Sequence, residues 1–369
     1  MYDVLFVSKP VAPPWNDSNK NLVRDLSRAL TRHRPRVLVP SGAPLSGVTS
    51  EQLYEGAGEY APAFAANARV MARLLVGRRA DLWHFFFAPN PVTLLAGRAA
   101  RLAKGTPTVH TIASAPDSLE AVSGELFADS VVVLSEHTKA RLEKVGVESR
   151  VVPPALVVPE VSEGRVTATR ARYKIDGRYA LYAGDLEFGD GAKTFVRAAA
   201  ADTERELQYV VASRPKTARA QDARARLERE AVELGANIVW LGEIDDIHAL
   251  VKDASVLSLV TDTLHAKMDW PLVLLEALAL GVPCVVGAGT AAAELKASGA
   301  CEPIRTGDPK ALGFALRAWS ERNDAVRARL DEASRWVDAT CKPSVVASQY
   351  EEIYDEVVDR VRRGRKARR

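Results

Sequence analysis

The chain lacks the features that would place it outside ordinary soluble globular proteins. Its 369 residues hold three cysteines, Cys284, Cys301 and Cys341, an odd number with no paired spacing. That fits a reducing compartment better than a disulfide framework. No apolar run reaches the ~18 to 20 residues needed to span a bilayer. No secretory leader is visible either: Tyr2 to Val7 reads as a strand, and Pro10, Pro13 and Pro14 follow at once. Charge of one sign is missing as well, because the formal net charge is only +3, which argues against a dedicated nucleic-acid binder. A cytoplasmic protein is expected. No clustered His/Cys set suggests a metal centre.

What the chain does have is length and alternation. At 369 residues, with 47% hydrophobic and 26% charged residues, two globular domains are the natural prior. Short apolar runs alternate with helical patterns from the start. Val4-Leu5-Phe6-Val7 and Val37-Leu38-Val39 read as buried strands, with Leu22, Leu26, Ala29 and Leu30 on one helix face between them. Residues 66–75 are helical, 82–87 a strand, 93–104 helical, Thr108-Val109-His110 the end of a strand, and 130–134 another. This βαβ alternation predicts a parallel, doubly wound sheet.

The pattern breaks at Pro153, Pro154 and Pro159, a stretch of linker composition. A second series then begins at Tyr179-Ala180-Leu181-Tyr182 and continues through strands at 209–211, 238–241 and 256–260. Two Rossmann-like halves with a hinge near residue 160 are expected, and Gly-x-Gly-x-x-Gly follows neither first strand. Val346, Tyr350, Ile353, Val357 and Val361 predict a last helix at near-3.6 spacing. We divide the chain into residues 1–160, 161–342 and a final helix with basic tail, 343–369.

The most informative stretch is KMDWPLVLLEALALGVPCVVG, Lys267 to Gly287. A polar loop ends at Asp269-Trp270-Pro271. An apolar helix follows with one carboxylate, Glu276, until Gly281 and Pro283 stop it before the strand Cys284-Val285-Val286. A carboxylate in such a helix is costly unless it has a partner or points into a cleft. A half-buried residue bridging to a neighbour is the plain reading of Glu276, and a ligand-binding carboxylate the functional one.

This segment resembles the donor-binding signature of family-4 retaining glycosyltransferases, Glu-Gly-Phe-Gly-Leu-Pro-x-x-Glu-Ala. The steps from Glu276 through Gly281-Val282-Pro283 to Glu294 fit the same family. The resemblance implies the GT-B fold, two Rossmann-like doubly wound domains facing across a cleft, with acceptor bound mainly by the first half and a nucleotide-sugar donor by the second. It also implies that the last helix crosses back to the first half. Glu276 would then accept hydrogen bonds from the ribose hydroxyls, a task that suits a bidentate carboxylate. The family's second Glu is replaced by Met268. Asp269, one step away, is the substitute for contact with the donor sugar, and Lys267 would neutralise a phosphate.

The same resemblance assigns the remaining candidates. Arg214 and Lys216, after the strand at 209–211 and at an expected helix start, would hold the donor diphosphate and stabilise the leaving group; a solvated helix start is the plain alternative. The glycine-rich turn Gly184-Asp185-Leu186-Glu187-Phe188-Gly189-Asp190-Gly191 would approach a phosphate, although the family Arg is replaced by Asp185. Gly242-Glu243-Ile244 would pack against the donor base. His110 would contact the donor sugar. Asn16, Asp17 and Ser18, in a loop without the family's paired glycines, would serve the acceptor or a phosphate, or simply cap the first helix. Asn90 would lie at the cleft rim. Asp245-Asp246 reads as a helix start rather than a metal site.

The reading is a glycosyltransferase moving a sugar from a nucleotide-diphosphate sugar to a carbohydrate, lipid-linked or small-molecule acceptor. Retention of configuration, no metal and no cofactor beyond the donor are expected. A GT-B epimerase, a glycoside phosphorylase and a non-catalytic nucleotide- or carbohydrate-binding module are the alternatives. Arg360, Arg362, Arg363, Arg365, Lys366, Arg368 and Arg369 crowd the end of the chain. They read either as a solvated, frayed terminus or as a weak peripheral contact with the inner membrane surface.

Overall fold

The computed structural model describes residues 1–367 apart from 57–63, 115, 117, 159, 205, 214–216, 265 and 266. The chain forms two compact units. Unit 1 comprises Met1–Val157, His265–Asp269 and Thr340–Arg369; unit 2 comprises Val158–Leu264 and Trp270–Ala339.

Unit 1 begins with β1 (Asp3–Ser8), α1 (Ser18–Ala29), β2 (Arg34–Pro40), β3 (Thr49–Tyr54), α2 (Phe64–Val76), β4 (Leu82–Phe86) and α3 (Pro91–Lys104). It continues with β5 (Thr108–Ile112), α4 (Glu120–Ser123), β6 (Ser130–Val133), α5 (Glu136–Lys144) and β7 (Arg150–Val151). The strands form one parallel sheet in the order β3-β2-β1-β4-β5-β6-β7. The chain therefore reverses its direction of winding between β1 and β4. In open α/β sheets ligands bind beyond the carboxyl ends of the strands at such a point.

Unit 2 contains α6 (Glu163–Tyr173), β8 (Tyr179–Ala183), α7 (Gly191–Ala201), β9 (Gln208–Ala212), α8 (Arg219–Glu233), β10 (Ile238–Leu241) and α9 (Ile247–Asp253). Then come β11 (Val256–Leu259), α10 (Leu272–Ala279), β12 (Cys284–Gly287), a 3₁₀ segment (Ala291–Ser298), β13 (Cys301–Ile304), α11 (Pro309–Ser320) and α12 (Asp324–Cys341). Its parallel sheet runs β10-β9-β8-β11-β12-β13, with its switch point between β8 and β11. Inner strands such as β1, β4, β8 and β11 are buried on both faces. That is why they read as continuous apolar runs rather than alternating patterns.

The last helix, α13 (Pro343–Lys366), belongs to unit 1 and packs on α1 and β5. Val346, Ala347, Tyr350, Ile353, Tyr354, Val357 and Val358 are its buried hydrophobic side chains. A polar network ties it to the sheet. His84 Nδ1 meets the Tyr354 hydroxyl and His84 Nε2 the Thr111 hydroxyl, both at 2.7 Å, and Thr111 Oγ1 lies 3.0 Å from the Tyr350 hydroxyl. Glu351, only 3% exposed, accepts the backbone N–H groups of Thr31 and Arg32 at 2.7 and 2.5 Å. These bonds offset the cost of burying the charge.

Two expectations change, and one strand was not foreseen. His110 does not end its strand: β5 runs on to Ile112 and His110 is its middle residue. The basic tail is not frayed through its described part, because α13 stays helical to Lys366. There Arg362 pairs with Asp81 at 3.0 Å and sits over the Tyr2 ring, while Arg360 and Arg365 donate to the carbonyls of Asp129 and Gly105. All four partners sit at or just before the starts of β1, β4, β5 and β6, so these cations brace the sheet. Finally, β3, whose six residues TSEQLY are mostly half-exposed, is an edge strand without an apolar run to announce it. Among the described residues no helix is long and apolar enough to cross a membrane.

Candidate active site

In unit 2 the carboxyl ends of β8, β11 and β12 converge on residues 260–263. Gly189 has φ +68°, and a Cβ there would sit 2.3 Å from Asp262 Oδ1. One at Gly191 would lie 2.8 Å from the Val260 carbonyl oxygen, and one at Gly287 only 1.8 Å from that of Thr261. Backbone at these positions admits glycine alone. The Asp190 N–H donates to Asp262 Oδ1 at 2.9 Å, fixing the turn that opens α7. Gly184 is demanded by packing too, since a Cβ would lie 2.8 Å from Leu259 Cδ1 and 2.9 Å from the Tyr182 ring. Asp185 is buried, and its carbonyl accepts the Tyr182 hydroxyl at 2.9 Å. Glu187 accepts the Leu186 N–H and the Thr217 hydroxyl.

Glu276 lies on α10 among buried Leu272, Leu274, Leu275, Ala277 and Leu278. It is 8% exposed, and its Oε1 is 3.3 Å from His248 Nε2 on α9. The carboxylate thus has the neighbour that the plain reading asks for. Sequence inspection missed His248, since a lone histidine in a surface-patterned helix carries no signal. Asp246, as anticipated, opens α9: its Oδ1 accepts the Ala249 N–H at 3.1 Å. It also takes a bidentate pair from Arg165, both bonds 2.8 Å. Glu243 is exposed in the turn after β10, and a Cβ at Gly242 would meet open space, so sterics do not dictate that glycine. Arg214 and Lys216 lie outside the described residues. The helix expected to open at them, α8, starts at Arg219.

The segment before α10 divides between the units at Asp269–Trp270. Lys267 is half-buried and Met268 buried. Asp269, 4% exposed, donates its N–H to the Ala113 carbonyl at 3.1 Å and accepts the Ser135 hydroxyl on Oδ2 at 2.6 Å. Ser135 Oγ in turn accepts the Thr138 N–H at 3.0 Å as the N-cap of α5. Trp270 donates from Nε1 to Glu294 at 3.3 Å and packs on Trp336.

In unit 1 the β1–α1 loop carries Asn16, Asp17 and Ser18. Asn16 is exposed, and Ser18 is the first residue of α1. Asp17 is its N-cap: Oδ1 accepts the N–H groups of Asn19 and Lys20 at 3.0 and 3.1 Å, and Oδ2 takes Lys9 Nζ at 2.5 Å. Burial alone would raise the Asp17 carboxyl, but Lys9, these bonds and nearby Lys20 outweigh it and hold it below the usual carboxylate range. Asn90 caps α3, accepting the Thr93 N–H at 3.0 Å with Pro91 at the first helical position. That local task accounts for Asn90 at an exposed position.

At the end of β4 two side chains are fastened to consecutive carbonyls. Asn19 Nδ2 donates to Phe86 O at 3.2 Å, and His110 Nε2 donates to Phe87 O at 3.0 Å. Each leaves a buried acceptor, Asn19 Oδ1 and His110 Nδ1, with no partner among the described residues. Because a carbonyl fixes the Nε2–H tautomer, Nδ1 is the lone-pair nitrogen. Burial among Phe85, Phe87 and Phe127 pushes the His110 pKa down to about 4, with the Phe87 carbonyl opposing, so the ring is neutral. Among the described residues no three His, Cys, Asp or Glu side chains are grouped to hold a metal ion.

Several solved structures share this fold. Anabaena Alr3699/HepE, solved with UDP and glucose, superposes with a TM-score of 0.76 at 15% identity, covering 96% of this chain and 100% of its own. Sucrose-phosphate synthase from Thermosynechococcus elongatus gives 0.74 at 18% identity, covering 96% and 99%. The UDP-forming α,α-trehalose-phosphate synthase of Burkholderia xenovorans, solved with glucose-6-phosphate, gives 0.72 at 14%, covering 95% and 100%. No curated protein sequence matches the chain significantly. The two parallel-sheet, Rossmann-like units are those of the GT-B fold, and residues 177–321, from just before β8 to just past α11, match the family model Glycosyl transferases group 1.

Proposed function

We propose that this protein transfers a sugar from a nucleoside-diphosphate sugar to an acceptor hydroxyl, with retention of configuration and without a metal ion. The observation that carries the reading is the family match over residues 177–321, which spans the β8–β11 switch point and the buried Glu276 on α10. Several structures of the same fold are named for UDP-sugar chemistry or hold UDP, which supports a nucleotide donor on unit 2.

In this reading Glu276 accepts the two ribose hydroxyls, with His248 holding one carboxylate oxygen in place. Arg214 and Lys216 neutralise the diphosphate and the charge that builds on it as it leaves. Lys267 adds to that positive field. Asp185 and Glu243 flank the nucleotide at the ends of β8 and β10. His110 offers its lone-pair Nδ1 to a sugar hydroxyl, and Asp269, oriented by Ser135, serves as the carboxylate near the donor sugar. The acceptor oxygen bonds to the anomeric carbon as the bond from that carbon to the diphosphate oxygen breaks on the same face. The acceptor proton passes to the departing phosphate oxygen. No protein nucleophile is required, and the protein supplies positioning and charge.

The test is a panel of nucleoside-diphosphate sugars screened by thermal shift, since a bound ligand raises stability by mass action. Stabilisation by one donor, and release of its nucleoside diphosphate only when an acceptor is present, is the expected result. Epimerised donor without acceptor would replace this reading by an epimerase, dependence on inorganic phosphate by a phosphorylase, and binding without any turnover by a carbohydrate- or nucleotide-binding module.

A further inference from the structure

Two neighbouring helices of unit 1 turn apolar side chains outward as well as inward. α2 and α3 pack together, and Leu74, Leu94 and Ala100 place their inner sides in one core with Trp83 and Phe85. Surface helices ordinarily present polar and charged residues on the opposite side. Here α2 exposes Ala68, Ala72 and Val76, one turn apart. α3 exposes Val92, Leu95, Ala99 and Leu102, at helical steps of three and four. The larger of these, Val76, Val92, Leu95 and Leu102, are 59 to 84% exposed. An apolar surface of this kind marks contact with a protein or a membrane. Among the described residues no helix is long and apolar enough to span one, so a membrane contact would lie at the surface.

Charge decides what covers it. Neither helix contains an aspartate or glutamate. From Phe64 to Lys104 the chain has seven Arg or Lys against one acid, Asp81, whereas the whole chain is nearly balanced at 50 against 47. Arg69, Arg73 and Arg101 pair with Glu55, Glu51 and Asp129, and Arg78 and Arg98 reach Asp3 and Glu125 only at 3.8 and 3.9 Å. Arg79, just beyond α2, and Lys104, the last residue of α3, are exposed. The basic end of α13 joins them, since Arg365 donates to the carbonyl of Gly105. A second copy offering the same face would set these cations against one another. Apolar side chains bordered by cations match the boundary between acyl chains and anionic headgroups. We infer that unit 1 seats the outer face of α2 and α3 on an anionic lipid bilayer, with Leu95 and Leu102 entering the acyl boundary and Arg79 and Lys104 meeting headgroup phosphates. α3 starts shortly after the carboxyl end of β4, the kind of edge at which open sheets bind ligands. On the transfer reading above, this points to a lipid-borne acceptor; the docking itself does not depend on that reading.

The experiment is co-sedimentation of the full chain, without any donor, with vesicles of phosphatidylcholine alone and of phosphatidylcholine mixed with phosphatidylglycerol. It compares wild type with two double variants, Leu95→Gln with Leu102→Gln and Arg79→Gln with Lys104→Gln. Wild type should sediment with the anionic vesicles and not with the neutral ones, and about 0.5 M salt should release much of it. Each double variant should weaken binding to anionic vesicles at least ~10-fold at low salt. Circular dichroism and thermal melts check that the variants fold. Should the glutamine pair at 95 and 102 fail that check, Leu95→Ala with Leu102→Ala takes its place, with a loss in the same direction expected. Equal binding to both vesicle types, no binding by folded wild type, or unaltered binding in either folded double variant would overturn the site. A dimer by light scattering that Leu95→Gln with Leu102→Gln splits into monomers would also overturn it, replacing the bilayer by a second copy. Because no donor is present, failure here leaves the transfer reading standing, and the donor screen decides that reading separately.

Discussion

The Ser135 hydroxyl donates to Asp269 Oδ2 at 2.6 Å across 134 positions of sequence. One oxygen atom thereby caps α5 and orients a buried carboxylate that the sequence marks only as the nearest acid to a missing glutamate. Ser135→Ala should remove both tasks. The lost cap costs ~1 kcal/mol, and Asp269, left short of a donor, adds about 1 to 3 kcal/mol. Urea denaturation of unit 1 measures this. Ser135→Thr should recover most of the loss, and full stability in Ser135→Ala would show that the contact contributes little.

Glu276→Gln should weaken nucleoside-diphosphate binding by roughly 10- to 150-fold, the loss of charge-assisted bonds to two hydroxyls. His248→Ala should weaken it less, because that change removes only the group that holds one carboxylate oxygen. Unaltered UDP affinity in Glu276→Gln would end the ribose assignment.

Activity should survive EDTA. Arg214→Ala with Lys216→Ala should lower kcat/KM by at least ~100-fold, as expected of cations that stabilise a leaving group. A chelation-sensitive enzyme restored by Mn²⁺ would contradict the proposed metal-free mechanism.

Acid should destabilise the fold before its carboxylates titrate. Burial depresses the His110 pKa to about 4, and depresses that of His84 well below its ordinary value. A histidine with a lowered folded pKa contributes stability that is fully present above its unfolded pKa of about 6.5 and is lost as pH falls through the window below it. For His110 that window runs from about 6.5 to about 4 and spans on the order of 3 kcal/mol. Urea midpoints at pH 7.5, 5.5 and 4.5 should decline, and His110→Gln should flatten part of the slope. A flat profile in wild type would argue against neutral buried rings.

Truncation after Val361 removes Arg362 and Arg365, two of the cations that brace the starts of the strands in unit 1. Exposed pairs of this kind contribute about 0 to 1 kcal/mol each, so a drop in Tm of a few degrees is expected. If the truncated protein keeps its Tm but loses binding to anionic vesicles, the tail serves a membrane rather than the sheet.

The two sheets were legible because their inner strands are buried on both faces and so appear as unbroken apolar runs, such as Val4 to Val7 and Tyr179 to Tyr182. β3 was not, because an edge strand with one open side needs no such run. Glu276 stood out as a single charge in an apolar helix. Its partner His248 did not, because their contact depends on how α9 and α10 pack. Lys9 and Lys20 escaped notice for a related reason: eleven residues apart in sequence, they look like surface lysines until Asp17 is seen to join them. The loop gave its capping residues readily, since Asp, Ser and Asn before a helix have a local role, whereas a lysine–carboxylate contact is a property of the folded cluster.

Glu351 and Tyr354 have a consequence for how the molecule is made. Unit 1 starts at the first residue, yet its α1–β2 loop and its His84 network are completed by side chains about 270 to 320 positions later in the chain. Domains generally fold in the order in which a ribosome delivers them. Here the inserted unit 2 is fully synthesised while unit 1 still lacks α13. The first-made half must wait with part of its core uncovered until nearly the whole chain has emerged, and it is the half for which chaperone help during synthesis would matter most.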